Sequence, residues 1–198
     1  GGLLWLALAS ACAFGADARA VALDASVSSV DVWPFATMLS DPARTLTLDQ
    51  ALARREEFTR PNVPHANLGP RKDAVWLRIP LQMGQRDSGH WVLSIAYSSL
   101  DRIDVFALCG ERFLSHALLG RVLPFAQRPL PGSVHAVDLK LEPGQRCDLM
   151  LRVQTASSMI VPVRLEREEV FWSNEASTQM LQGVLAGFRT GGTPFDAL

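Results

Sequence analysis

One stretch of the sequence decides the fold class of this chain: Val75-Trp76-Leu77-Arg78-Ile79-Pro80-Leu81-Gln82-Met83. Its odd-numbered positions are all aliphatic or methionine, whereas its even-numbered positions are mixed. Successive side chains of a β-strand point to opposite faces, so a period of two is typical of a strand with one face in a core. The stretch therefore predicts a strand whose odd-numbered side chains are buried.

The same alternation continues towards the C-terminus. It recurs in segments that are separated by turn residues such as Glu142-Pro143-Gly144-Gln145, namely residues 90–98, 103–107, 112–119, 134–141, 147–155 and 159–165. About seven or eight short strands with turns between them, and no regular alternation of strands with helices, are typical of an antiparallel sandwich or barrel. The sequence therefore predicts an all-β fold.

Strand, helix and loop signals also lie on the N-terminal side of the first alternating stretch. Residues 27–35 predict an additional strand, which Pro34 would confine to a sheet edge or a strand end. The segment Thr47-Leu48-Asp49-Gln50 fits a capping box, and it predicts a short helix of about two turns over residues 51–57. Three prolines make residues 59–73 a predicted loop.

The first twenty residues predict a secretory signal peptide. Residues 1–14 are apolar and uncharged, and the small-x-small site Ala18-Arg19-Ala20 follows. An apolar segment of this length is too short to span a bilayer core of about 30 Å, and it is typical of a signal peptide. We expect the sequence to begin inside the signal, with cleavage after Ala20 and a mature chain from Val21. A buried N-terminal helix is the alternative interpretation.

The charge distribution argues against nucleic acid as a partner. The chain has 19 Lys and Arg residues against 20 Asp and Glu residues, its formal net charge is -1, and its basic residues are scattered singly. Binding to a nucleic-acid duplex requires a concentrated basic face. We therefore expect no nucleic acid among the partners.

Export would leave two cysteines, Cys109 and Cys147, because Cys12 would depart with the signal peptide. The periplasm is oxidising, so the two thiols could form a disulfide worth roughly 4 kcal/mol in the chain-entropy model. Two ordinary buried thiols are the alternative, since the sequence does not supply the distance between their Cα atoms.

No catalytic or metal-binding constellation is recognisable in the sequence. The four histidines lie far apart and lack the short spacings of zinc ligands, and no nucleophile elbow, zincin or phosphate-loop motif occurs. Asp101 and Asp104 fit a loop and an exposed strand position, and Glu168/Glu169 fit a solvated helix start. A glycosidase instead needs two carboxyl groups that face each other across a cleft. We therefore expect neither catalytic residues, nor a metal site, nor a cofactor.

Four residues are candidates for a ligand-binding surface. Trp76 and Arg78 share the even-numbered face of their strand, where a Trp beside an Arg could stack a sugar or clamp an anion. Arg128, from a proline-rich central loop, and Tyr97 complete the set. Tyr97, however, shares the aliphatic face of its own strand. The favoured alternative is that Trp76 closes a second layer of the sandwich while Arg78 extends to water.

The C-terminal part changes to helical spacing. Residues 168–175 lead into an apolar stretch, residues 180–188, that looks like the first turns of a membrane helix. Nine helical residues cover only about 13.5 Å of a bilayer core of about 30 Å. Arg189 and the glycines after it end the apolar run, so we expect residues 189–198 to be an aberrant or truncated tail.

Several segments together resemble one family. They are Thr47–Leu52 ahead of Phe58, Asn67–Pro70 running into Ala74–Ile79, Trp91–Leu93, Leu100–Phe106, the central-loop residues Gly120 and Arg128, and Pro162-Val163. Their order and spacing are similar to the type-two extracellular domain of bacterial seven-transmembrane receptors with diverse intracellular signalling modules. The resemblance covers about residues 45–187.

The resemblance implies a jelly-roll-like β-sandwich, similar to carbohydrate-binding modules, on the periplasmic side of the bacterial inner membrane. Seven membrane helices and a histidine kinase or diguanylate cyclase output would follow it. The expected organisation is a signal peptide (1–20), an N-terminal strand and linker (21–45), the sandwich with its short N-terminal helix (46–168), the start of the first transmembrane helix (169–188) and the tail (189–198).

These observations predict a periplasmic ligand-sensing domain rather than an enzyme. Its expected partners are a small molecule, with carbohydrates included, and the membrane, through the C-terminal helix. A homodimer is left open. A carbohydrate-binding module of a secreted enzyme is the first alternative, and a sandwich glycoside hydrolase is the second.

Overall fold

The structure is a computed structural model that describes residues 19–190, with side chains described up to residue 181. Within that range the chain forms twelve β-strands and two α-helices. In chain order these are β1 (Val21–Leu23), β2 (Ser29–Asp31), β3 (Thr37–Asp41), α1 (Leu48–Ala53), β4 (Asn67–Pro70), β5 (Ala74–Met83), β6 (His90–Ile95), β7 (Arg102–Cys109), β8 (Arg112–Leu119), β9 (His135–Lys140), β10 (Arg146–Gln154), β11 (Ser158–Ile160), β12 (Val163–Glu166) and α2 (Glu168–Thr190). Short 3-10 helices lie at Trp33–Phe35, Arg55–Glu57 and Phe125–Gln127.

Most of the strands form two sheets that share one core. In the six-stranded sheet, called sheet A, the order is β1-β5-β10-β7-β8, and β3 pairs with β5 on the same edge as β1. In the four-stranded sheet, called sheet B, the order is β2-β12-β6-β9. The short β1–β5 pair is parallel, whereas the pairs inside sheet B and around β10 are antiparallel. The all-β sandwich predicted from the sequence is confirmed.

The core lies between the two sheets and follows the predicted alternation. The odd-numbered side chains of β5, from Val75 to Met83, are all buried on the inner face of sheet A. Trp91, Leu93 and Ile95 of β6 belong to the same cluster from the side of sheet B. Burying one such side chain stabilises a fold by about 1.5–3 kcal/mol, so this alternation decides which faces of the sheets meet.

A second apolar cluster covers the outer face of sheet A. Trp76 and Met150 lie on that face, and helix α1 packs over them with Ala51. The other members of the cluster are Leu39, Leu46, Leu48, Leu52, Phe58, Phe106 and Leu108. The predicted capping box is present, because the Gln50 amide N–H donates to the Thr47 hydroxyl and the Thr47 amide N–H donates to the Gln50 side chain. Strand β5 is therefore covered on both faces.

The N-terminal region departs from the prediction. The strand expected at residues 27–35 is limited to β2, because Pro34 lies in a 3-10 helix that begins two residues after the strand. Strands β1, β2 and β3 pair with β5 and β12, so residues 21–41 belong to the sandwich rather than to a linker before it. Strands of three to five residues contain too few alternating positions to be recognised from one sequence.

A disulfide joins Cys109, at the end of β7, to Cys147 in β10. The two residues stand directly opposite each other in the antiparallel pair, and their Cα atoms are 4.0 Å apart. Both side chains lie in the main core. The bond therefore ties together two central strands of sheet A.

Helix α2 follows the last strand after a single residue, Arg167. Neither α1 nor α2 combines, within the described residues, the length and the hydropathy that a membrane span requires. The predicted signal peptide (1–20) lies outside the described residues except for its last two positions. The predicted tail (189–198) lies outside them except for its first two positions. Strand β1 begins at Val21, directly after the predicted cleavage site.

Candidate functional site

The structure places Trp76 and Arg78 on the outer face of sheet A, as their spacing predicts, where Trp76 is covered and Arg78 is paired with an aspartate. Trp76 is only 1 % exposed, because helix α1 and its neighbours cover it. The guanidinium of Arg78 donates from Nε and Nη2 to the two carboxylate oxygens of Asp148, each at 3.1 Å. This arrangement matches the alternative in which Trp76 closes a second layer.

Tyr97 and Arg128 lie elsewhere. Tyr97 follows the end of β6 and packs partly buried against the main core. Arg128 lies in the loop between β8 and β9, with its guanidinium 5.2 Å from the centroid of the Phe125 ring and close enough to His135 to influence its titration. The four predicted residues therefore do not form one site.

A cleft at one end of sheet A brings charged residues together instead. It has a volume of about 520 Å³, which suits a small ligand. Its lining comes from the loops before α1 and β5, from the start of β7, from the loop after β8 and from the end of β10: Arg44, Arg71, Lys72, Asp73, Asp101, Arg102, Val122, Gln154, Thr155 and Ala156. We call it the cationic cleft.

Most of the charges around the cationic cleft are paired. Arg71 donates to both carboxylate oxygens of Asp73 at 2.9 and 2.6 Å, and this pairing lowers the pKa of Asp73. Arg102 makes the same kind of double contact with Asp104, at 2.9 and 3.0 Å.

Asp101 is bound in a different way. The backbone N–H of Ala156 and the guanidinium of Arg121 both donate to its carboxylate, and these contacts lower the pKa of Asp101. Two cations of the lining, Arg44 and Lys72, have no carboxylate partner among the described residues. The excess positive charge of the cleft is therefore carried by these two side chains.

Arg44 has an unusual backbone conformation. Its φ of 58° places it in the left-handed region, where it is the single residue other than glycine among the described residues. The turn is held by Asp41, whose carboxylate accepts the amide N–H groups of Thr45 and Leu46, and by Arg152, which donates to the Arg44 carbonyl at 2.7 Å. A left-handed residue with a side chain costs about 1–2 kcal/mol relative to glycine.

The loop of residues 120–134, between β8 and β9, begins at the cationic cleft. The amide N–H of Val122 donates to the Asp101 carbonyl at 3.1 Å, and Arg121 is bound to the Asp101 carboxylate. A Cβ atom at Gly120, whose φ is 117°, would lie 2.3 Å from the same carbonyl oxygen. The start of this loop is therefore fixed against Asp101.

The same loop ends at helix α2. Ser133 donates to the carboxylate of Glu175 twice, from its amide N–H at 2.7 Å and from its hydroxyl at 2.9 Å. Glu175 is 5 % exposed, and a Cβ atom at Gly132 would lie 2.8 Å from its Oε2 atom. Leu130 and Val134 of the loop pack around Phe171 of the helix.

Helix α2 lies on the outer face of sheet B. Phe171 is 2 % exposed and contacts a small apolar cluster that includes Val92 and Ala136. One turn further along, the Asn174 side chain donates to Glu166 at 2.9 Å, and Glu166 also accepts from the hydroxyl of Ser94. The helix is therefore held by one aromatic side chain and a set of hydrogen-bonded carboxylates.

Arg167 anchors the start of α2. Its guanidinium lies 3.9 Å from the centroid of the Trp91 ring and pairs with the buried carboxylate of Asp87. Burial raises the pKa of Asp87, but the hydrogen bonds from Arg167, from the Gly89 amide and from the Trp91 indole together lower it. A second cleft of about 610 Å³ lies beside this anchor and is lined by Arg86, His90, Glu168, Glu169 and Trp172 among others.

Sequence reasoning missed Arg44, Lys72 and Glu175. The Asp41-Pro42 pair before Arg44 is a turn signal, but it does not reveal a left-handed arginine. Glu175 lies four positions after Phe171 and therefore on the same face of the helix, which is a weak sign that the carboxylate is buried. In the described residues no group of His, Cys, Asp or Glu side chains could hold a metal ion.

Comparisons with known proteins give one family. A search of curated proteins finds no match to this chain. The family model described as 7TMR-DISM extracellular 2 matches residues 34–167, which is more than half of the 198 residues. The match runs from the 3-10 helix before β3 to the residue before α2. In bacterial receptors this domain is sensory and lies on the outer, periplasmic side of the membrane. The chain therefore belongs to the 7TMR-DISM extracellular 2 family, the extracellular sensory domains of bacterial membrane receptors.

Proposed function

We propose that this domain senses a small periplasmic ligand in the cationic cleft and passes the occupancy of the cleft to the membrane through helix α2. In the full receptor the signal would continue into membrane helices and a histidine kinase or diguanylate cyclase output. The domain itself would bind the ligand without changing it.

One observation carries this proposal. The loop of residues 120–134 contributes Val122 to the lining of the cationic cleft at its start, and near its end Ser133 holds the carboxylate of Glu175 on α2. A ligand that moves the start of the loop would therefore act on a contact that fixes the helix. Physical continuity of this kind is a reason to test for coupling between the two places.

The energies involved are in a suitable range. A hydrogen bond to a charged group contributes about 1.5–3 kcal/mol, and typical coupling free energies between two sites are about 1–3 kcal/mol. A ligand shifts an equilibrium only by the difference between its affinities for the two states. Release or tightening of the two Ser133–Glu175 hydrogen bonds would supply a difference of this size.

The described site gives less support to the two alternatives. A carbohydrate-binding module needs an accessible aromatic platform, but the predicted one, Trp76, is covered by α1, and the described lining of the cationic cleft contains no aromatic side chain. A glycoside hydrolase needs one carboxyl group that keeps its proton. Hydrogen bonds from the Ala156 amide and Arg121 lower the pKa of Asp101. Burial raises the pKa of Asp104, but the contacts with Arg102 and His116 together lower it below its usual value.

A ligand screen tests the proposed function. We expect purified exported chain to be stabilised against heat by a small molecule from a panel of organic acids, sugars and nucleosides, and calorimetry to confirm binding of the unchanged compound. At a hundred times its dissociation constant, a specific ligand adds about 2.7 kcal/mol to the free energy of unfolding. Chemical conversion of the bound compound, or no stabilising compound in the panel, would refute the sensor.

A further inference from the structure

We infer that the ligand of the cationic cleft is a small organic acid with two carboxylates. The inference rests on the proposed function, because it names the ligand class of the same site. Four features of the cleft support it: the unpaired cations, the conformation of Arg44, a free amide and the volume.

The pattern of charge pairing selects an anion. Arg71, Arg102 and Arg121 are each neutralised by a nearby aspartate, whereas Arg44 and Lys72, both exposed in the lining of the cleft, have no such partner within residues 19–181. The whole chain has a formal net charge of -1, so two unpaired cations in one concave place are not a consequence of a basic protein. An arginine and a lysine without acidic partners are suited to two carboxylates of one molecule.

The backbone of Arg44 gives the second argument. Glycine or asparagine satisfies a left-handed turn position with less strain than an arginine does. The contacts of Asp41 and Arg152 hold the backbone in this conformation through the Thr45 and Leu46 amides and the Arg44 carbonyl. They do not involve the Arg44 guanidinium, which has no hydrogen-bond partner in the described part of the chain. Strain that is held in place by neighbouring groups is a known mark of a binding residue.

The rest of the lining fits the neutral part of such a ligand. Gln154 is half-buried at the end of β10, and its side-chain amide has no hydrogen-bond partner among the described residues. It can donate to a carboxylate or bind a hydroxyl group of the ligand. Val122 supplies one apolar contact, and a volume of about 520 Å³ accommodates a four- to six-carbon acid with bound water.

Calorimetry with succinate and malate, two four-carbon acids with two carboxylates each, tests the inference. We expect at least one of them to bind, with an affinity that falls as ionic strength rises, and we expect glucose and inorganic phosphate to bind at least tenfold more weakly. Arg44→Gly and Lys72→Gln should each weaken the binding of the acid at least tenfold. Because glycine is relaxed at a φ of 58°, Arg44→Gly should keep the melting temperature of the unmodified chain or raise it.

Two exposed cations outside the cleft supply matched controls, Arg164→Gly on β12 and Lys140→Gln on β9, which should leave acid binding unchanged. Acid binding that survives the Arg44→Gly/Lys72→Gln double variant would overturn the inference, as would equal or tighter binding of phosphate. Binding of a sugar alone would overturn the ligand class and leave the sensing function standing. Binding of a nucleoside alone would likewise overturn only the ligand class, whereas no binding by any acid, sugar or nucleoside of the panel would refute the proposed function together with the inference.

Discussion

The two outer faces of this sandwich are covered in different ways. On sheet A, helix α1 closes an apolar cluster around Trp76 and Met150, in which the Trp76 ring stacks on Phe106. On sheet B, helix α2 buries a single aromatic residue, Phe171, and depends on the hydrogen-bonded carboxylates of Glu166 and Glu175. Both helices cover a sheet, but they are fixed by different forces.

The difference indicates which cover can move. An apolar cover is held by close packing over its whole area, so even a small displacement loses many contacts at once. A cover held by directional hydrogen bonds has two states, bound and released, because a buried carboxylate without partners is costly. We therefore regard α1 as a structural cover and α2 as the element that can report a change in the sandwich.

Removal of Trp76 should cause the greatest loss of stability, because this side chain lies under α1. Trp76→Ala should lower the free energy of unfolding by about 3–5 kcal/mol, because the large side chain leaves a cavity beneath α1. Trp172→Ala, at a residue that is 39 % exposed on α2, should cost less than about 1 kcal/mol. Urea denaturation of the two variants measures both values. Equal losses would mean that α1 does not seal sheet A as described.

The next effect concerns the anchor of α2. Asp87→Ala should cost about 3 kcal/mol, because it leaves the Arg167 guanidinium partly buried without a counter-charge. The control Glu57→Ala removes an exposed partner of Arg54 and should cost less than about 1 kcal/mol.

The Asp87 effect should also depend on pH with a defined sign. The folded-state pKa of Asp87 lies below its usual value of 3.8, so its contribution is complete above that value and is lost as the pH falls through the lower folded value. The difference between wild type and Asp87→Ala should therefore shrink below about pH 4. A difference that stays constant down to pH 2 would show that the carboxylate is not the group that matters.

A smaller and more local loss of stability is expected where Ser133 binds Glu175 of α2. Glu175→Gln should weaken the contact to Ser133 by about 1–2 kcal/mol, and Gly132→Ala should displace the same carboxylate from the other side. Both variants should increase proteolytic cleavage within α2 while the urea midpoint of the sandwich changes little. Glu111→Gln, at an exposed turn, should do neither. Unchanged cleavage in both variants would mean that Ser133 does not hold the helix.

The titration of His135, directly after the loop of residues 120–134, should change the free energy of unfolding least of all. Burial lowers the pKa of His135 below its usual 6.5, the contact of its ring with the Ser98 carbonyl opposes this, and Arg128 adds to the lowering. Stability from the neutral imidazole is therefore present above pH 6.5 and is lost as the pH falls through the lower folded value. The variant His135→Asn should flatten this part of the pH profile, and His90→Asn, which is exposed, should not.

The sequence predicted the inner face of sheet A better than anything outside it. The alternation in β5 and β6 arises because the inner faces of the two sheets pack against each other. It involves many positions, so one exception does not hide the pattern. The cover over Trp76 depends on α1, which lies more than twenty residues earlier in the chain, and no local pattern links the two. For this reason Trp76 was a candidate for a binding platform.

The candidate site was less predictable for physical reasons. The local charge balance depends on which loop ends meet at one edge of the sheet. These contacts pair three arginines with aspartates, namely Arg71, Arg102 and Arg121. They give Arg44 and Lys72 no such partner among the residues that the structure describes. Composition reports only the net charge of the chain, not its local balance. The predicted pair Trp76 and Arg78 shared a face as expected, but the face was already occupied.

Hydrogen exchange in helix α2 measures whether occupancy of the cationic cleft reaches the contact between Ser133 and Glu175. The exported chain should be compared with and without the most tightly bound compound of the screen, as wild type and as Glu175→Gln. We expect the ligand to change the exchange of amides 170–181 and of Ser133 at least threefold in wild type, because occupancy of the cleft acts on the Ser133–Glu175 contact. In Glu175→Gln the ligand should still bind but leave α2 exchange unchanged. Ligand binding without any change in wild-type α2, or with the same change in Glu175→Gln, would contradict this account.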